Sequence, residues 1–136
     1  MRGTIHHLDL TVKDPWASRD FYEAVLGFMG YRCVKEDRRG FDWDLVTADG
    51  GLCSIGIVTA EGDGCARPHD RYAPGLHHVA WRADNHAHGD RLHARLVEIG
   101  AVILDPPAAD PQDGAGYYAV FFADPDGLKL EYVHAP

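Results

Sequence analysis

Apolar and polar residues alternate at the head of the chain, with Leu8, Leu10 and Val12 on one face of an extended segment and His7, Asp9 and Thr11 on the other. The apolar face must pack, so His7 points away from it. Asp14 suits the N-cap of a helix and Pro15 its first position, and Trp16, Phe21, Tyr22, Val25 and Leu26 then form an apolar stripe that stops at Gly27. Three further strands are expected, about Gly30 to Lys35, about Trp43 to Thr47, and Leu52 to Val58 after the Asp49-Gly50-Gly51 turn. Residues 1–58 therefore read as one unit of strand, helix and three strands.

The pattern then repeats. Ile5 to Val12 is echoed by Leu76 to Ala83, each copy a strand with a histidine pair at its head, and a repeat of this kind marks a duplicated supersecondary unit. Between the copies, 59–75 is rich in Gly, Pro and charge and reads as a linker. In the second unit, 76–136, His78, Ala80 and Arg82 share a face. Asp84 or Asn85 caps a helix to about Ile99, Gly100 ends it, and Ala101 to Leu104 forms a short strand. A loop from Asp105 to Gly116, carrying Pro106, Pro107 and Pro111, leads to a strand from Tyr117 to Phe122. The Asp124-Pro125-Asp126-Gly127 turn returns the chain as Leu128 to His134, with Leu128, Leu130 and Tyr132 toward the core and Glu131 on the opposite face. The fold class is α+β, two tandem βαβββ modules in one structural domain.

Composition narrows the partners. With 136 residues the chain can bury one good core, and its net charge of -8 argues against nucleic acid, which requires a basic face. No apolar stretch is long enough to span a membrane, and the N-terminus lacks a basic segment followed by an apolar run, so the sequence reads as a soluble cytoplasmic protein. Cys33, Cys53 and Cys65 are too few and too irregular for a disulfide framework and read as plain thiols.

Nine histidines demand sorting. His86, His88 and His93 fall in or near the second helix and read as surface residues, as does His134, while His69 lies in the linker. His6 and His77 have the parity of the helix-facing side. His7, His78 and Glu131 lie on the face away from the helices. Two imidazoles and a carboxylate leave three of six octahedral positions open, the facial arrangement of Fe(II) sites, suited also to Mn(II). The same three groups could instead only hydrogen-bond within a polar cavity. Both readings stand on spacing alone.

His7 to Asp14 followed by Phe21-Tyr22-x-x-Val25-Leu26-Gly27, then His78-Val79-Ala80, then Asp124-Pro125-Asp126-Gly127-x-x-x-Glu131, resembles the vicinal oxygen chelate superfamily over nearly the whole chain. That superfamily includes glyoxalase I, methylmalonyl-CoA epimerase, extradiol dioxygenases, fosfomycin-resistance enzymes and bleomycin-binding proteins. The resemblance implies paired βαβββ modules whose mixed sheets curl into a cup with the helices outside. It also implies metal ligands on the inner faces of the first and last strands, where His7, His78 and Glu131 fall. A fourth ligand is implied on the last strand of the first module, where Gly56 or Ser54 stands, neither a normal ligand. Glyoxalase I and the epimerases carry a glutamate or glutamine there, which speaks against both activities. Dioxygenases and fosfomycin enzymes carry a tyrosine ten residues before the final glutamate, and here that residue is Phe121, whose ring has no hydroxyl to donate.

Two functions follow as expectations. The first is a metal-dependent enzyme, dioxygenase-like or lyase- or isomerase-like, whose divalent ion (Fe, Mn, Zn or Ni) chelates two oxygens of a small substrate. Arg82 could meet substrate charge or pair with Asp9, and Trp43, Tyr117 and Phe121 could wall the cavity or pack in the core. His69, Tyr72 and Tyr117 are the stand-ins for an acid or base. The second is a non-catalytic protein that binds a drug or metabolite, as bleomycin-binding members do. The resemblance further implies a homodimer.

Overall fold

A computed structural model describes residues 2–136, with eight strands and two α-helices among them. Two compact units divide between Arg67 and Pro68, within the segment expected to link the modules. Each unit holds one α-helix and one four-stranded mixed sheet.

The first unit contains β1 (His7–Val12), α1 (Pro15–Phe28), β2 (Arg32–Asp37), β3 (Gly40–Val46) and β4 (Leu52–Thr59). Its strand order is β1-β4-β3-β2, with β1 and β4 parallel and the other pairs antiparallel. Asp14 caps α1 by accepting from the backbone N–H groups of Trp16 and Ala17 at 2.9 and 3.3 Å, which satisfies donors that have no partner within the helix. The helix passes through Gly27 and ends at Phe28, a residue beyond the expected stop. Gly30, at φ +96°, makes the left-handed step, and the Tyr31 N–H returns to the Leu26 carbonyl at 3.0 Å. Gly27 is an ordinary helical residue because the left-handed position follows the last helical turn.

The apolar faces meet in a core of Leu10, Val12, Tyr22, Val25, Leu26, Phe41, Trp43, Ile55 and Ile57. Trp43, 0% exposed, packs beside Tyr22 and Phe41, and its indole N–H donates to Glu23 Oε2 at 2.6 Å. Trp43 is thus a core residue beneath α1 and does not reach the polar face of the sheet. The β2 strand starts two residues later than expected and bulges between Cys33 and Lys35. Such a bulge re-aims the side chains that follow it.

The second unit repeats the plan with β5 (His78–Arg82), α2 (His86–Glu98), β6 (Val102–Ala109), β7 (Tyr118–Ala123) and β8 (Lys129–His134), in the order β5-β8-β7-β6. Asn85 caps α2 through the His88 N–H at 3.0 Å, and Gly100, at φ +71°, ends it. The main departure from expectation is β6, which continues through Asp105, Pro106 and Pro107 where a loop was expected. Its pairing with β7 shifts register on both sides of Asp105. An edge strand with bulges tolerates prolines that a central strand would reject. Among the described residues, no helix is long and apolar enough to cross a membrane.

Two substitutions test this packing. Asp14→Ala is expected to cost about 1 kcal/mol of unfolding free energy in urea denaturation, the usual loss for an N-cap. Trp43→Ala should cost about 3–5 kcal/mol in the same assay, as a buried large side chain does; a cost below about 1 kcal/mol would place Trp43 outside the core.

Candidate functional site

The second module assembles its polar face from neighbouring strands. In the parallel pair β5 and β8, His78 stands beside Lys129 and Ala80 beside Glu131. Alternation turns His78, Ala80, Lys129 and Glu131 to the side opposite the core, and the small Ala80 leaves room for the longer acid. Glu131 is nonetheless only 4% exposed. A carboxylate so removed from water needs partners, and it has two: Tyr117 donates its hydroxyl to Oε1, and His78 Nε2 lies 3.1 Å from Oε2. Burial first, and then the bond to Glu131, push the Tyr117 phenol above its ordinary pKa, so it stays a donor.

His78 is held from its other side by His77, whose Nδ1 is 2.7 Å from His78 Nδ1 with the rings edge to face. Lost solvation, followed by the neighbouring His78, lowers the pKa of His77. The first module carries the same doublet, His6 Nδ1 standing 3.1 Å from His7 Nδ1. Both His6 and His77 are exposed and precede their strands, so neither packs on the helix side as parity suggested. The ring contact leaves Nε2 of His78 facing the acid.

On β7, Phe121 is in register with Glu131, and the Lys129 ammonium lies 4.1 Å from the centre of its ring. Phe121 and Tyr117 therefore both belong to the surroundings of Glu131, one as an apolar neighbour and one as a donor. Arg82 donates to the Ala135 carbonyl at 2.9 Å, which ties β5 to the end of the chain. His86 stacks on Tyr118 at 4.3 Å, His134 Nδ1 lies 3.4 Å from the Ala83 carbonyl, and His69 Nε2 lies 3.1 Å from the Leu76 carbonyl. Tyr72 is 79% exposed and rests edge-on against His77.

The first module's polar face carries a cavity of about 330 Å³, lined by His7, Asp9, Lys35, Asp42 and Ser54 among others. Here β1 and β4 pair His7 with Ser54 and Asp9 with Gly56, so Gly56 holds the place that Glu131 holds in the second module. A Cβ on Gly56 would stand 2.4 Å from Asp9 Oδ1 and 2.8 Å from Asp42 Oδ1. The carboxylates of two adjacent strands thus occupy the space that a side chain on β4 would need. Lys35 offsets part of this charge, its ammonium 3.3 Å from both Asp37 and Asp42. Sequence reasoning did not single out Asp42 or Lys129. Lys129 was legible from parity, two residues before Glu131, and Asp42 from the alternation Phe41-Asp42-Trp43-Asp44-Leu45; it was missed because the expected strand began at Trp43, whereas β3 begins at Gly40.

His78 Nε2 and Glu131 Oε2 have the spacing of two donors to one ion: ligands about 2.1 Å from a metal and at right angles stand about 3 Å apart. Nitrogen and carboxylate oxygen also suit Fe, Mn, Zn or Ni. Among the described residues, no three His, Cys, Asp or Glu side chains gather closely enough to hold an ion. His7 belongs to the first unit, and His78 and Glu131 to the second.

Two modules of this order, each pairing its first strand with its last, define the class of fold. A sequence profile of the glyoxalase/bleomycin resistance protein/dioxygenase superfamily matches residues 4–132, and the chain belongs to that superfamily. It is 30% identical to YqjT, an uncharacterised protein of Bacillus subtilis strain 168, over 95% of this chain and 97% of that one. It also superposes on a crystal structure from Bacillus halodurans that carries a provisional glyoxalase designation, with a TM-score of 0.81 and 28% identity over 98% of this chain and 97% of the other. A glyoxylase/bleomycin resistance protein/dioxygenase domain from Frankia sp. EAN1pec shares the fold over the full length of both chains, at a TM-score of 0.74 and 21% identity.

Proposed function

We propose that the protein is a divalent-metal-dependent enzyme of this superfamily acting on a small substrate that chelates through two oxygens. The observation that carries the reading is the buried Glu131 with His78 Nε2 at 3.1 Å, a donor pair with metal-ligand spacing. His78 and Glu131 of the second module and His7 of the first would hold the ion. Bound there, the ion would act as a Lewis acid that polarises the substrate oxygens. His77 holds the imidazole of His78 by its Nδ1, Tyr117 holds one oxygen of Glu131, and Phe121 sets an apolar ring in register with Glu131. The missing side chain at Gly56 speaks against the glutamate-dependent chemistry implied for glyoxalase I, because no base can extend from that point of β4. Dioxygenase-like or lyase-like chemistry with three protein ligands suits the set better. A homodimer is part of the proposal, by analogy with two-module relatives.

The rival reading, a non-catalytic protein binding a small molecule, draws on the same Gly56: with Asp9 and Asp42 drawn over it, the first module offers a polar pocket in place of a fourth ligand. Elemental analysis of anaerobically purified protein separates the two. Near-stoichiometric metal in the wild type, lost in His7→Ala, His78→Ala and Glu131→Ala alike, is the expected result. Wild-type protein that takes up no Fe(II), Mn(II), Zn(II) or Ni(II) on reconstitution would leave the binding protein as the function. Retention of the ion in His7→Ala alone would remove the first module from the site.

Oligomeric state enters the same test. If the modules pair between two copies, dilution below the dimer dissociation constant should release the ion; if they pair within one chain, the ion should survive dilution.

A further inference from the structure

Glu131 is nearly buried, yet among the described contacts it meets only two side chains, and they take separate oxygens: Tyr117 on Oε1 and His78 on Oε2. A carboxylate hinged on its own side-chain torsions can turn either oxygen toward a neighbour, and a donor on one oxygen removes that freedom. Tyr117 is itself fixed from both sides of the loop that precedes β7. Its N–H donates to the Gly114 carbonyl at 3.2 Å and its carbonyl accepts from the Asp110 N–H at 3.3 Å. The strand position in register with Glu131 is Phe121, which has nothing to donate.

We infer that Tyr117 is a positioning residue: from the base of the 110–117 loop, its hydroxyl locks Glu131 so that Oε2 and His78 Nε2 are presented together as a preformed pair of donors. This rests on the metal-dependent reading and goes beyond it, because it moves Tyr117 from a cavity wall to the partner that orients a ligand. It also makes the loop before β7 part of the site's support. Groups that orient a metal-binding carboxylate contribute about 10- to 100-fold in affinity.

The test is calorimetric titration of the metal-free full chain with Mn(II) and with Zn(II), beside the unfolding temperature of each metal-free variant. Tyr117→Phe, which deletes one oxygen atom, should weaken binding by about 10- to 100-fold. Tyr117→His, which keeps a ring N–H donor, should fall between that variant and the wild type. The control is Tyr118→Phe, whose hydroxyl donates instead to Asp90 on α2; it should bind like the wild type. A merely structural Tyr117 would lower the unfolding temperature and leave the dissociation constant of folded protein unmoved. Equal affinity in wild type, Tyr117→Phe and Tyr117→His would overturn the inference while leaving the metal site intact. A wild type without affinity for either ion would overturn the metal-dependent reading, and the inference with it.

Discussion

In each module the first strand pairs in parallel with the last, and the site depends on that pairing. A parallel pair cannot be closed by a tight turn, because the chain must travel back to its starting end before the second strand begins. Here the helix and two antiparallel strands make that journey: α1, β2 and β3 lie between β1 and β4, and α2, β6 and β7 between β5 and β8. The result sets side by side two strands far apart in sequence. His78 and Glu131 come within 3.1 Å because β5 and β8 are neighbours in a register that places Ala80 opposite Glu131.

The same register exposes how the two copies have diverged. Each sheet has one acid and one small residue facing each other across its parallel pair, but on opposite strands: Asp9 against Gly56 in the first module, Ala80 against Glu131 in the second. The environments differ as well. Glu131 is buried and bonded, whereas Asp9 is exposed in a polar cavity whose other charges include Asp42 and Lys35. A carboxylate in water needs no fixed partner, while one withdrawn from water does. The second module is therefore the one whose acid is held in a single orientation.

Much of this was readable in advance. The period-two alternation of Leu8, Leu10 and Val12 put His7 on the polar face, and Leu128, Leu130 and Tyr132 did the same for Glu131, because a strand offers only two directions. Asp14-Pro15 marked the start of α1 for the equally local reason that a cap acts on its own helix. What escaped were features decided at a distance. The strand through Pro106 and Pro107 exists because β6 lies at an edge, where missing N–H groups cost the sheet little. Trp43 was a candidate cavity wall, although aromatic residues on strands are more often core; packing on Tyr22 and the bond to the Glu23 carboxylate of α1 turn it into the core.

The candidate site divides along the same line. The residue types proposed to hold the ion, a histidine at the head of each repeat and a glutamate after the Asp124-Pro125-Asp126-Gly127 turn, are legible in the sequence, because repetition and alternation are local and periodic. Which oxygen of Glu131 faces His78, that the Tyr117 hydroxyl reaches the other, and how Asp9 and Asp42 fill the space above Gly56 were decided only by the tertiary structure. Those are relations between strands and loops remote along the chain. Sequence spacing carries no information on the ångström offsets that separate a hydrogen bond from a near miss.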